Sequence, residues 1–219
     1  MLQNELENVL IERFLSKFSL SDEDERAVLE GAVLKSFKKD ETIYTKDGCQ
    51  GYAILACGRM RGFVSTSNFK EITVFSLRQG DSCMLCAFCS FRALQVEINL
   101  QIEEDTQMIL IPKKLFKRLR ESYPQVANHA LELVAGRFSA AINVMEQALF
   151  MPLAQRIINF LEQNGAREGL KITHEQIANH LGSAREAVSR VLKEMQKQGR
   201  IEQKRGVVTL KWLCYIFKF

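Results

Sequence analysis

The stretch THEQIANHLGSAREAVSRVLKEMQKQGRIEQKRG, residues 173–206, decides the fold. Thr173, followed three residues on by Gln176, forms a capping box, the signature of a helix start. The helix it opens, Glu175–His180, carries Ile177 and Ala178 inward, with Leu181 just beyond. Gly182 supplies a turn, and a second helix runs from Ala184 to Gln198. Val188, Val191, Leu192 and Met195 recur at helical spacing on its buried side. Its other side presents Arg185, Glu186, Ser189, Arg190 and Lys193. Gly199 ends the helix, and Ile201–Lys204, Arg205-Gly206 and Val207–Lys211 then form a β-hairpin. A short helix, a glycine turn, a second helix with a polar front and a basic hairpin make a winged helix-turn-helix.

The chemistry of that surface suits a DNA major groove. Arg185 and Arg190 can each donate two hydrogen bonds to guanine, and Glu186 can accept from a cytosine amino group. Thr173, Lys193, Lys204 and Arg205 are placed for phosphates, which position the protein without specifying sequence. Two blander readings stand beside this one. Glu186 lies three residues after Ser183 and would serve as partner in a second capping box, and arginine on a helix surface is commonly a solvated face. The helix-turn-helix, the wing and the local charge surplus together favour DNA reading. Residues 151–219 carry a net charge of +6, whereas residues 1–150 carry −2, so a polyanion-binding module is joined to a near-neutral one.

Outward from the module, Met151-Pro152 is a hinge, because proline fits the first turn of a new helix and breaks an old one. The helix after it spans Leu153–Gln163, closed by Asn164-Gly165. Before it, Pro124 opens a long helix over Gln125–Phe150. Ala127, Leu131, Val134, Phe138, Ala141, Met145 and Ala148 step alternately by four and three, an a/d seam that pairs helices of two protomers. Ala130, Leu133, Ile142 and Leu149 form a second apolar edge, so the helix can pack on its own domain and on a partner at once. The alternative for this stripe is a core helix of a monomer.

Further upstream the period changes to two. Val33–Phe37, Thr42–Thr45, Tyr52–Ala56, Met60–Ser65, Ile72–Leu77, Val96–Ile102 and Gln107–Ile111 are short strands, separated by turn signals that include Cys57-Gly58 and Glu104-Asp105. Strands at this spacing predict a sandwich or barrel. Residues 4–17 and a segment from Ser21 to Leu29 read as helices in front of it, and Lys113–Glu121 as a short helix behind it. The expectation is an α+β chain of three parts: a barrel over 1–122, a dimerisation helix over 123–150 and a winged helix-turn-helix over 151–219.

Composition narrows the function classes. No apolar run approaches the ~20 residues that span a bilayer, and the N-terminus lacks the basic-then-apolar order of a secretion signal, which predicts a cytoplasmic protein. The motifs of serine hydrolases, zinc proteases and phosphate loops are absent from the sequence, so an enzyme is not expected. Cys83, Cys86 and Cys89 stand two residues apart, as in one type of ferredoxin cluster, with Cys49, Cys57 and Cys214 scattered. The segment CMLCAFC is otherwise apolar, which favours core packing around a small ligand; metal or iron–sulfur binding and thiol redox sensing stay open beside it. His129, His174 and His180 fall into no ligand spacing. A second class of function is a ligand-binding module whose winged helix docks a protein partner rather than DNA.

The whole order (strands, long helix, proline hinge, helix-turn-helix) resembles the Crp/Fnr family of bacterial transcription regulators, most specifically in residues 173–206. LRQGD, Leu77–Asp81, and DETIYTKDG, residues 40–48, are similar to a barrel turn and an early strand of that family. The resemblance implies a jelly-roll (double-stranded β-helix) barrel like that of cyclic-nucleotide-binding domains. It also implies a homodimer on an inverted-repeat operator, and contact with RNA polymerase in an activator. Family base-reading positions fall on Arg185, Glu186, Ser189 and Arg190, and Glu186-x-x-Ser189-Arg190 resembles the branch that prefers a TGA core. Ala184 stands where many members have a capping Ser or Thr, which predicts a cap shifted to Ser183. The stretch after Asp81 lacks the glutamate and the Arg-Ser pair of the phosphate cassette, with Arg92 alone, so the resemblance argues against cyclic AMP. No cysteine precedes Cys49, so the cluster of the oxygen-sensing branch does not carry over.

Overall fold

Two β-strands buried on both faces organise the first half of the chain. The computed structural model describes residues 2–44, 51–66, 70–84 and 98–211. It divides into two units, Met1–Val64 with Val74–Ala141 and Ser65–Thr73 with Ile142–Phe219. The first unit begins with helix α1 (Leu2–Arg13), a 3-10 turn (Leu15–Lys17) and helix α2 (Asp22–Gly31). Ser21 caps α2, its hydroxyl accepting from the Asp24 amide at 3.2 Å. Strands β1 (Val33–Phe37), β2 (Thr42–Ile43), β3 (Gly51–Ser65), β4 (Glu71–Arg78), β5 (Ser82–Met84) and β6 (Asn99–Pro112) follow, then helices α3 (Lys113–Ser122) and α4 (Pro124–Phe150). The sheet order is β1-β6-β3-β4, with β2 on β6 and β5 on β3. The β6 and β3 partners whose register is defined run antiparallel.

Side chains alternate across a strand, and here both faces are covered. Tyr52 and Ile54 of β3, with Ile109 and Ile111 of β6, pack beneath Leu10, Phe14, Phe116, Leu119, Val126 and Ala130 of the helices. Ala53 and Leu55, with Met108 and Leu110, face the other way, onto Met60, Leu77, Cys83, Leu100 and Ile102. A strand buried on both faces reads as a continuous apolar run, as YAILA does at residues 52–56.

Several expectations change. Cys57-Gly58 and Glu104-Asp105 are not chain reversals, because β3 and β6 run through them. Gly58 sits at a bulge instead: its φ is +88°, pairing with β6 shifts register there, and an added Cβ would lie 2.4 Å from Thr106 Oγ1. Strand β5 was not expected, residues 4–17 divide into α1 and the 3-10 turn, and the expected strand from Val96 begins, among described residues, at Asn99. Cys49, Cys86, Cys89, Arg92 and the segment from Trp212 lie outside the described residues. No helix among the described residues is long and apolar enough to cross a membrane.

The second unit holds helix α5 (Leu153–Gln163), strand β7 (Leu170–Lys171), helices α6 (His174–Leu181) and α7 (Arg185–Lys197), and strands β8 (Ile201–Lys204) and β9 (Val207–Leu210). The strands form an antiparallel sheet, β7-β9-β8, with β7 an addition to the expected hairpin. Ile157, Leu161, Ile177, Ala178, Val188, Leu192, Met195, Ile201 and Val208 make its core.

Candidate nucleic-acid interface

The capping box forms as the sequence requires. The Thr173 hydroxyl accepts from the Gln176 amide at 3.1 Å, and the Thr173 amide donates to Gln176 Oε1 at 2.9 Å. Thr173 is thereby engaged in holding α6. Gly182 ends α6 in the left-handed region at φ +62°, and the Ser183 amide reaches back to the Ala178 carbonyl at 3.0 Å. Arg156 of α5 donates to the Leu181 carbonyl and so covers the same helix end. Burial lowers the Arg156 pKa.

This closure alters the start of α7. Its N-cap is Ala184, in extended conformation and without a side-chain cap bond, so the cap does not shift to Ser183. Glu186 is the second residue of the helix rather than the third, and the capping-box reading of Glu186 is not formed. The first amides of α7 therefore receive no capping bond from the N-cap side chain, which leaves the positive end of the helix without that neutralisation.

Val188, Leu192 and Met195 point into the core, at no more than 2% exposure. The opposite side of α7 presents Arg185, Glu186, Arg190 and Lys193, all exposed, beside half-buried Ser189. The four expected base readers thus share one face. Arg185 Nε lies 3.7 Å from Glu175 Oε2, a solvent-exposed pair of little energetic weight. Ser189 Oγ lies 2.8 Å from His174 Nδ1, whose ring reaches Gln203 Oε1 through Nε2, also at 2.8 Å. Gln203 in turn donates to Gln196 Oε1 at 2.9 Å. Sequence reasoning missed this chain. On the wing, Lys204 and Lys211 flank Glu202 at 3.1 and 2.5 Å, and their hydrogen bonds, Lys211 first, hold its carboxyl below the usual range. Arg205 is exposed at the hairpin turn.

The long helix has a different surface. Val126 and Ala130 are buried against the first unit, whereas Leu131, Phe138 and Met145 of the seam are 59, 67 and 51% exposed. Ala127, Val134 and Ala141 are half-buried, Ala148 is exposed, and Leu149 and Phe150 are exposed beyond them. The side chains of His129 and Arg137 tie α4 to the strands. The Tyr52 hydroxyl lies 2.9 Å from His129 Nε2, and Arg137 donates to the Ser82 carbonyl at 3.2 Å while lying 4.4 Å above the Phe75 ring. Burial pushes the Tyr52 hydroxyl up to about 12 and lowers the His129 pKa.

Cys83 faces the inner apolar cluster, and burial pushes its thiol up to about 11. A thiol so placed stays protonated at neutral pH. Among the described residues no three His, Cys, Asp or Glu side chains converge as a metal site.

Residues 153–213 match the family model of the Crp-like helix-turn-helix domain. The crystal structure of a Crp/Fnr-family transcriptional regulator from Eubacterium rectale superposes with a TM-score of 0.81 at 32% identity, over 87% of this chain and 90% of that one. The c-di-GMP responsive global regulator CLP of Xanthomonas campestris gives 0.70 at 14% identity, over 88% of this chain and all of that one. FixK2 from Bradyrhizobium japonicum gives 0.65 at 21%, over 83% and 93%. The last two likenesses show the fold alone. Comparison with curated proteins by sequence gives no match.

Proposed function

This chain belongs to the Crp/Fnr family of transcription regulators, and from that premise we propose that it acts as a homodimer whose two α7 helices read the half-sites of an inverted-repeat DNA operator. The observation that carries the reading is the single exposed face of α7, where Arg185, Glu186, Ser189 and Arg190 stand above a buried core. Arg185 and Arg190 would donate to guanine edges, and Glu186 would accept from cytosine. Lys193, Lys204, Arg205 and the Thr173 segment would meet phosphates. The half-sites would then lie one DNA turn apart, roughly 34–36 Å.

Residues 1–122 form the sensing domain in this reading, 123–150 the dimerisation helix and 151–219 the DNA-binding domain, working in the cytoplasm. The exposed seam of Leu131, Phe138 and Met145 supports a second copy as its cover, since large apolar patches on a protein surface mark interfaces. The signal is a small molecule or a redox change felt by the strands. Its route to α4 runs through Tyr52–His129 and Arg137–Ser82. Such a signal acts only through its differential affinity for the two states of the dimer. An activator of this design would also meet RNA polymerase.

Selection from a duplex pool with a randomised centre tests the reading. The expected product is an inverted repeat with TGA-like half-sites, bound with a steep salt dependence. Equal affinity for every sequence would overturn it.

A further inference from the structure

Ser189 is the one expected base reader whose hydroxyl is already engaged inside the protein. We propose that His174, at the first position of α6, is a positioning residue for base reading: it fixes the hydrogen-bond direction of Ser189 and joins the wing to the recognition helix. The inference rests on α7 being the base-reading helix.

The argument starts at the wing. Gln203 on β8 donates its amide N–H to Gln196 Oε1 of α7 at 2.9 Å. Its oxygen then faces His174 Nε2 at 2.8 Å. A carbonyl oxygen only accepts, so in its neutral form the imidazole carries its proton on Nε2 and donates it there. Nδ1 is left with a lone pair, 2.8 Å from Ser189 Oγ, and the serine must donate its proton to it. A free hydroxyl rotates and either donates or accepts. Held this way, Ser189 has only lone pairs left for the groove. It matches an exocyclic amino group of adenine or cytosine and mismatches the N7 and O6 acceptors of guanine. Because Gln196 and Ser189 both lie on α7, the chain closes a loop from recognition helix to wing and back.

The test uses the full chain, the duplex it selects, and duplexes changed singly at each base pair of one half-site. His174→Ala is expected to lower discrimination at a single base pair about 3- to 10-fold, the worth of one hydrogen bond, with affinity for random duplex unchanged. On a Ser189→Ala background the same substitution adds nothing. His174→Gln restores the preference, because its amide oxygen accepts from Ser189 and its nitrogen donates to Gln203. Should His174→Ala unfold the module, Phe and Gln at the position give the same comparison with the space filled: Phe loses the preference and Gln keeps it. Equal weakening on all duplexes, an independent loss on the Ser189→Ala background, or identical behaviour of Phe and Gln would overturn the proposal. A wild-type chain that selects no sequence overturns the reading of α7 itself; one that selects normally while His174→Ala selects with equal stringency overturns only this coupling.

Discussion

Helices α4 and α7 each bury one side and expose another, and the two exposed sides differ in kind. On α4 the exposed side is apolar, with Phe138 at 67% and Leu149 at 67% in contact with water. On α7 it is charged, with Arg185, Glu186, Arg190 and Lys193 exposed above Val188 and Leu192. Water penalises the first face and tolerates the second. An apolar face in water gains free energy from any cover of matching shape, at about 25 cal/mol per Å² of area removed. A charged face gains only from a partner that replaces hydration with directed bonds. The α4 face therefore suits a second copy of itself, and the α7 face suits a patterned polyanion.

The comparison breaks most readily at α4. Phe138→Glu should give a monomer in sedimentation and lower operator affinity by about 10²- to 10⁴-fold, because two linked half-sites are lost together; a dimer with normal binding would mean the seam is misassigned. A second test addresses the two apolar clusters on either face of the sheet. Cys83 moves from its ordinary 9.0 to about 11 and Tyr52 from 10.0 to about 12, both through burial. Between those limits the unfolded chain has lost protons that the folded chain keeps, so stability falls as pH rises from 9 toward 12. At about 1.4 kcal/mol per unit, the loss is on the order of 3 kcal/mol for each group. Urea unfolding at successive pH values reads it, and Cys83→Ala should flatten the lower part of the fall. For α7, Glu186→Ala should relax preference at one base pair by ~1–3 kcal/mol and leave affinity for random duplex unchanged; uniform weakening would reduce Glu186 to a general surface charge. The smallest effect concerns Thr173. Replacement by Ala should cost about 1 kcal/mol of stability as a lost cap, and an equal loss of affinity on every duplex with the salt slope unchanged, as a neutral hydroxyl requires, would show a phosphate contact.

The winged module was legible because its punctuation is local. Thr173 with Gln176, Gly182, Gly199 and the Arg205-Gly206 turn each fix a boundary within a few residues. The cap of α7 was misread for a physical reason: the Ser183 amide closes α6 onto Ala178, which leaves Ala184 as the cap. In the strands, a glycine that bends a bulge and a glycine that reverses the chain carry the same local signal, and only the pairing of β3 with β6 distinguishes them at Gly58. The link from His174 to Ser189 and Gln203 spans 15 and 29 residues and follows no period, so no pattern in the sequence points to it. The face that carries Arg185, Glu186, Ser189 and Arg190 was legible, because helical spacing alone places them together.

Cys83 gives the barrel a built-in stopwatch. Its thiol is sealed in apolar surroundings and protonated at neutral pH, so an alkylating reagent can label it only while the strands part. The labelling rate at that one sulfur then measures how often the first unit breathes. A compound that binds the domain and quiets that motion would slow the clock, and its arrival could be timed on the native chain with no dye or tag attached.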